Sequence, residues 1–295
     1  MGDVMTFKEK IKAGKFLITV EFGPEKGTET QPFIDIGKSI ADRVDGFNVT
    51  DLQSAVMRLG SLALCIKLKE AGLEPILQMT CRDRNRLALQ SDLLSAAAFG
   101  IENMLALTGD HPMLGDDHAA KPVFDYDTVQ LLGAARKMET GQDAAGNKLA
   151  EPFPRFCLGA VVNPGADPLE PQLMKMEKKV AAGAEFFQTQ AVYEADTFEK
   201  FIRQAEQFKV PIMVGIVLLK SAGMAKYMNE HVAGVHVPDN YIKRMADAPK
   251  EGRVAESIAI ASELIGKLKG MCRGVHIMPI GWEKHCGKVL DAAGL

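Results

Sequence analysis

The chain has no Cys-x-x-Cys pair, no net charge of one dominant sign and no apolar run approaching the roughly 20 residues that span a bilayer. Its five cysteines, Cys65, Cys81, Cys157, Cys272 and Cys286, are odd in number and widely spread. That pattern argues against a disulfide framework or an iron–sulfur site of the chain's own, and suits a reducing compartment. Thirty-five basic against 38 acidic residues give a net charge of −3, so no basic field exists to hold a phosphate backbone, and nucleic acid is not an expected partner. The opening residues carry no apolar signal segment, and the expected location is the cytoplasm. Met1-Gly2 with Thr6 fits a loose myristoylation pattern, but no polybasic stretch supports it. There is also no P-loop, no G-x-G-x-x-G after a strand and no G-x-S-x-G elbow.

What is present is the material of one large core: 295 residues, 47% hydrophobic and 25% charged, expected as a single domain over 1–295. A repeated grammar organises it, in which a helical stretch ends on glycine and an apolar run then closes on polar residues. Gly72 precedes Pro75-Ile-Leu-Gln-Met-Thr80, Gly100 precedes Asn103-Met-Leu-Ala-Leu-Thr108, and Gly183 precedes Glu185-Phe-Phe-Gln-Thr-Gln190. Glycine ends a helix readily because it tolerates positive φ. Eight such runs begin near Phe16, Val44, Pro75, Asn103, Phe156, Glu185, Pro211 and Gly274, with the near-continuous apolar character of parallel strands covered on both faces. Amphipathic stretches lie between them, as at Leu59, Leu62 and Ile66 or Leu173, Met176 and Val180. The alternation predicts a (β/α)8 TIM barrel rather than an open doubly wound sheet. Two connections are long. The one over 109–155 holds a polar, glycine-punctuated insert, and the one over 218–273 predicts extra helices near 222–230, 241–246 and 254–269.

In such a barrel the chemistry sits at the carboxyl ends of the strands. Here they read Glu21 on strand one, Asn48 to Asp51 on two, Gln78 and Thr80 on three, Thr108-Gly109-Asp110 on four, Asn163 on five and Gln188-Thr-Gln190 on six. Any one of these would serve as an ordinary loop residue or helix cap. Six around one mouth imply a ligand rich in donors and acceptors. Glu21 and Asp110 follow apolar segments and are expected where water is partly excluded, a setting suited to acid catalysis. No metal site is expected. His111, Asp116, Asp117 and His118 lack a helical i, i+4 pair, and Cys272, His276, His285 and Cys286 lack a second close cysteine pair.

These motifs, in this order, resemble those of the methylenetetrahydrofolate reductases over nearly the whole chain. The likeness rests on Val20-Glu21-Phe-Gly-Pro24, on Ala106-Leu-Thr108-Gly109-Asp110, and on Lys179-Val-Ala-Ala-Gly183-Ala followed by Thr189-Gln190. It implies a non-covalent flavin in the barrel mouth with a folate stacked on it, and reduction of 5,10-methylenetetrahydrofolate to 5-methyltetrahydrofolate. Glu21 would be the general acid, Asp110 would tune flavin and pterin, and Gln190 would hold the folate. Thr50, Gln78, Thr80, Thr108, Gly109 and Asn163 would contact the cofactor, with Lys178 and Lys179 at its phosphate. The family's arginine before Gly-Asp is Thr108 here, its strand-three histidine is Gln78, and its adenosine-side motif is replaced by Ala160-Val-Val-Asn163-Pro, so FMN stands as an alternative to FAD. Strand eight reads His276-Ile-Met278-Pro279, without the family's aromatic. The resemblance is to the acetyl-CoA-pathway subclass, which implies a homo-oligomer or a complex with an iron–sulfur subunit. A pterin-binding methyltransferase barrel and a non-catalytic scaffold of an electron-transfer complex are the competing readings.

Overall fold

A computed structural model describes residues 5–295; Gly2 of the acylation pattern lies outside the described residues, while Thr6 caps the first helix, Phe7–Lys12, through a reciprocal capping box with Glu9. Eight strands follow: β1 (Leu17–Phe22), β2 (Gly46–Val49), β3 (Pro75–Thr80), β4 (Asn103–Leu107), β5 (Cys157–Val162), β6 (Phe186–Ala191), β7 (Ile212–Val217) and β8 (Gly274–Met278). Each pairs in parallel with its neighbours, and β1 pairs with β8, so the sheet closes into a barrel in sequence order. Closure leaves no strand edge exposed. The expected (β/α)8 architecture is the one observed, and each strand begins within two residues of its predicted start.

Glycine punctuation explains part of that agreement: Gly72, Gly100 and Gly183 have φ of +80°, +70° and +108° at the three helix-to-strand turns. The predicted additional helices are present as Ala222–His231, Asp239–Asp247 and Arg253–Leu268. The connection over 109–155 is divided by the helix Thr128–Glu139. Its first part therefore belongs to the mouth, and its polar insert, joined by a bridge between Gln142 and Lys148, belongs to the opposite end. No helix among the described residues is long and apolar enough to cross a membrane.

Side chains alternate along each strand. On β1, Ile18, Val20 and Phe22 pack outward into the core shared with the helices, while Leu17, Thr19 and Glu21 line the lumen. The amino-terminal end of the lumen is apolar: Leu17, Ile76, Leu105, Cys157, Phe186 and Met213 form one buried cluster plugged by Phe7, whose ring meets that of Phe186 edge-on at 5.3 Å. Gly159 leaves room for the Phe186 ring, since a Cβ there would overlap it. The N-terminal helix is fastened by Lys8 to Glu185 and Lys10 to Asp45, at 3.1 and 2.7 Å. The hydrogen-bonded side chains Thr19, Asn48, Gln188 and His276 lie above this plug.

Candidate active site

Above the plug, four side chains tie the barrel wall together from inside. Gln188 Nε2 donates to Asn48 Oδ1 (3.0 Å) and Thr19 Oγ1 (3.1 Å), and Asn48 Nδ2 donates to Gln188 Oε1 (2.8 Å). Thr19 Oγ1 lies 2.9 Å from His276 Nδ1. The strand register places Thr19 beside His276 and Glu21 beside Asn48. On top of this network sits Glu21, 8% exposed, whose Oε2 accepts from Gln78 Nε2 at 3.0 Å and lies 3.5 Å from His276 Nε2. Its Oε1 has no hydrogen-bond partner among the described residues, and Glu21 lines a cavity of about 900 Å³ in the barrel mouth. One carboxylate oxygen is thus held by the protein while the other has no partner among the described residues.

The cavity wall includes every residue to which the family resemblance gives a role, Glu21, Thr50, Gln78, Thr80, Thr108, Gly109, Asp110, Asn163, Lys178, Lys179 and Gln190, whereas the strand-end Asn48 is spent in the network below it. They are not equivalent. Thr50 is buried with its hydroxyl unpartnered. Such a group is costly unless something bonds to it. Thr80 is buried and already committed, its backbone N–H and hydroxyl reaching Asp51 Oδ2 at 2.8 and 3.0 Å. Asn163 is half-buried and spends its amide on Ala233 O (2.7 Å) and Gly165 N–H (3.2 Å). Thr108 shares a 3.0 Å hydroxyl contact with Thr128, and Gln190 is exposed at the rim. Asp110 corrects the expectation of a water-excluded carboxylate: β4 ends at Leu107, and the chain beyond it carries Asp110 out to solvent at the cavity edge.

Lys175, Lys178 and Lys179 project from the helix Glu170–Ala181 onto one side of the cavity, joined by Gln172. Lys179 Nζ donates to Val161 O at 2.7 Å. Burial, reinforced by the charge of Lys175, pulls its pKa down to about 8. An anion there would relieve both effects.

The sequence reading missed Arg82 and Arg84, counted Asp51 among the polar strand ends without giving it a role, and weighed His276 only as a metal ligand. Asp51, 5% exposed, is paired with Arg84 and orients Thr80. Arg82, 2% exposed, reaches across to Leu52 O. His276 was findable, since it shares lumen parity with Gly274 and Met278 on a strand that must pair with β1. The arginines had no comparable signal, because residues just past a strand are usually solvated. The β2 loop carries a further unannounced feature: Leu52, Ser54 and Ala55 all have positive φ, 48°, 58° and 58°, each costing on the order of 1–2 kcal/mol for a non-glycine residue. Among the described residues, no three His, Cys, Asp or Glu side chains are grouped to hold a metal ion.

Fold and cavity together define a TIM barrel with a ligand-sized, polar site at the carboxyl ends of its strands. The chain belongs to the methylenetetrahydrofolate reductase family, whose model matches residues 6–294. Among its relatives, methylenetetrahydrofolate reductase 2 of Schizosaccharomyces pombe is 26% identical over 242 residues, covering 74% of this chain and 35% of that protein. A probable NADPH-type methylenetetrahydrofolate reductase of Caenorhabditis elegans is 26% identical over 77% of this chain and 33% of its own length. The chain therefore spans about a third of these relatives. In structure it is similar to an uncharacterized protein from Clostridium thermocellum that binds two copies of 5-methyl-5,6,7,8-tetrahydrofolic acid, with a TM-score of 0.63, 18% identity and 97% of each chain covered.

Proposed function

We propose that this chain reduces 5,10-methylenetetrahydrofolate to 5-methyltetrahydrofolate in the barrel mouth, with Glu21 as general acid and a flavin as the redox group. The observation that carries the reading is the asymmetric carboxyl of Glu21. Gln78 donates to Oε2, His276 Nε2 lies 3.5 Å from the same oxygen, and Oε1 has no partner among the described residues of a side chain that lines the cavity. A protonated Oε1 delivers its proton to N10 of the substrate, the C–N10 bond breaks, and the one-carbon unit remains on N5 as an electrophilic iminium. General acid catalysis of this kind contributes roughly 10²–10⁴-fold.

The residues present fit a flavin. The unpartnered Thr50 hydroxyl and the Gln78 amide offer hydrogen bonds to a polar ring edge, Leu107 and Val161 give an apolar surface, and Lys178 and Lys179, with Lys175, give cations for a phosphate. Thr80, Thr108, Gly109 and Asn163 complete that wall. When bound, the reduced flavin supplies from N5 the hydride that converts the one-carbon unit to methyl. Gln190 and Asp110 stand at the rim, placed to bond the pterin from the solvent side. FAD follows from the family, and FMN fits the same cations. Electrons would come from an iron–sulfur partner subunit, in keeping with the subclass that the chain resembles, and purification of the native complex tests that part.

The central test is optical. Purified protein is expected to be yellow, with its flavin absorbance bleached by 5-methyltetrahydrofolate without oxygen. A colourless protein that still binds folate would overturn the proposal.

A further inference from the structure

Two loops of the mouth converge on one buried side chain that takes no part in the chemistry above. Arg82, just past β3, sends Nη2 to Leu52 O at 2.9 Å and Nη1 to Asp110 O at 3.3 Å. Its backbone carbonyl accepts from Val123 N–H at 2.8 Å. One residue therefore grips the loop after β2, and both the beginning and the end of the long loop after β4. Asp83 balances its charge in a two-pronged pair, Nε to Oδ1 at 2.8 Å and Nη2 to Oδ2 at 2.9 Å.

The two loops also meet without it. Gly115 packs so tightly on the Ala55 carbonyl that a Cβ would overlap it, while the pair of Lys26 with Asp116 ties the β4 loop to the loop after β1. Gly109, at φ +86°, lies over the Arg82 stem, where an added Cβ would come within 3.1 Å of Arg82 Cβ and 3.2 Å of Thr80 Cβ. What the guanidinium adds is a fixed separation between the segment with three left-handed residues, Leu52, Ser54 and Ala55, and the segment Gly109-Asp110. Left-handed non-glycine residues persist only where their surroundings over-determine them. A planar fork with several donors in fixed directions can satisfy two carbonyls and a carboxylate at once, whereas a lysine ammonium cannot match that geometry.

We propose that Arg82 is a positioning residue that sets the width of the cavity between the β2 and β4 loops, and so its fit to a planar heteroaromatic ligand. The identity of that ligand as flavin or pterin rests on the function proposed above; the positioning itself does not.

The test uses the full-length chain and the variants Arg82→Lys, Arg82→Met and Arg82→Ala. In ligand-free protein, hydrogen exchange is expected to speed up in both 52–55 and 109–123, with the barrel strands unchanged. Titration with FMN and FAD, followed by flavin absorbance, is expected to show affinity lowered at least about tenfold in Arg82→Met. Millimolar guanidinium is expected to restore affinity to Arg82→Ala but to leave Arg82→Met unrescued, its site being filled. Wild-type exchange in both loops of Arg82→Lys and Arg82→Met, or exchange raised equally in the strands, overturns the proposal. If Arg82→Met does not fold, Arg82→Lys, which keeps a charge beside Asp83, decides by the same exchange measurement. If wild-type protein binds neither flavin nor folate, the functional reading falls while the exchange result still judges Arg82.

Discussion

The two ends of the barrel lumen are built from the same strands by opposite rules. At the amino-terminal end, Leu17, Ile76, Leu105, Cys157, Phe186 and Met213 close around Phe7 with no polar side chain among them. Further up the same barrel, Thr19, Asn48, Gln188, His276, Gln78 and Glu21 fill the lumen with hydrogen bonds. The lower end buries apolar surface, worth about 25 cal/mol per Å². The upper end gives up that gain and must satisfy every buried polar atom instead, or leave it for a ligand. Stability and function are thereby separated along the barrel axis.

Substitutions at the two ends should therefore have opposite signatures. Glu21→Gln keeps shape and its bond from Gln78, so it is expected to lower folate reduction by roughly 10²–10⁴-fold with flavin and folate binding retained, as read by single-turnover absorbance. Unchanged turnover would remove Glu21 from its role. Phe186→Ala should do the reverse. It empties the plug beneath the site and is expected to cost about 3–5 kcal/mol in urea unfolding, with ligand affinity near wild type at temperatures where the protein stays folded. A variant there that lost affinity without losing stability would break the division.

The layer between the ends should respond to pairing rather than to size. Gln188→Leu leaves the Asn48 amide and Thr19 hydroxyl short of partners and is expected to cost about 1–3 kcal/mol. Asn48→Leu in the same chain is expected to recover part of that loss, because it removes the stranded partner. Strict additivity of the two would show that they are not coupled.

Much of this division could be read before the fold was known, and for a physical reason. Parallel strands covered on both faces are written as apolar runs, and the positive-φ glycines Gly72, Gly100 and Gly183 mark where three of them begin. Glu21 was legible because a carboxylate breaking such a run at a strand end has few structural excuses. Asp110 looked alike in sequence but lies past the end of β4, where the loop path, set by distant contacts such as that of Gly115 with Ala55, turns it outward. Arg82 was hidden for the converse reason. Charged residues in a loop read as solvated, and only the closed barrel shows that neighbouring loops bury them.

The smallest expected effect concerns Lys179, whose pKa of about 8 is set first by burial and then by Lys175. In the unfolded chain a lysine titrates near 10.4. Below about pH 8 both states carry the proton and the fold bears the cost of a half-buried charge. Between about 8 and 10.4 the unfolded chain binds a proton that the folded one has released, so stability rises with pH across that window. An anion in the cavity favours the charged form, so the affinity for inorganic phosphate or FMN is expected to fall as pH passes upward through about 8. Lys179→Met should weaken that affinity at pH 7 and abolish the inflection, together with the rise in stability relative to wild type. Calorimetric titration across pH 7 to 9, about one unit either side of that pKa, reads the first effect. An inflection that survives in the variant would assign the anion to Lys175 and Lys178, and would leave the low pKa of Lys179 as a consequence of packing alone.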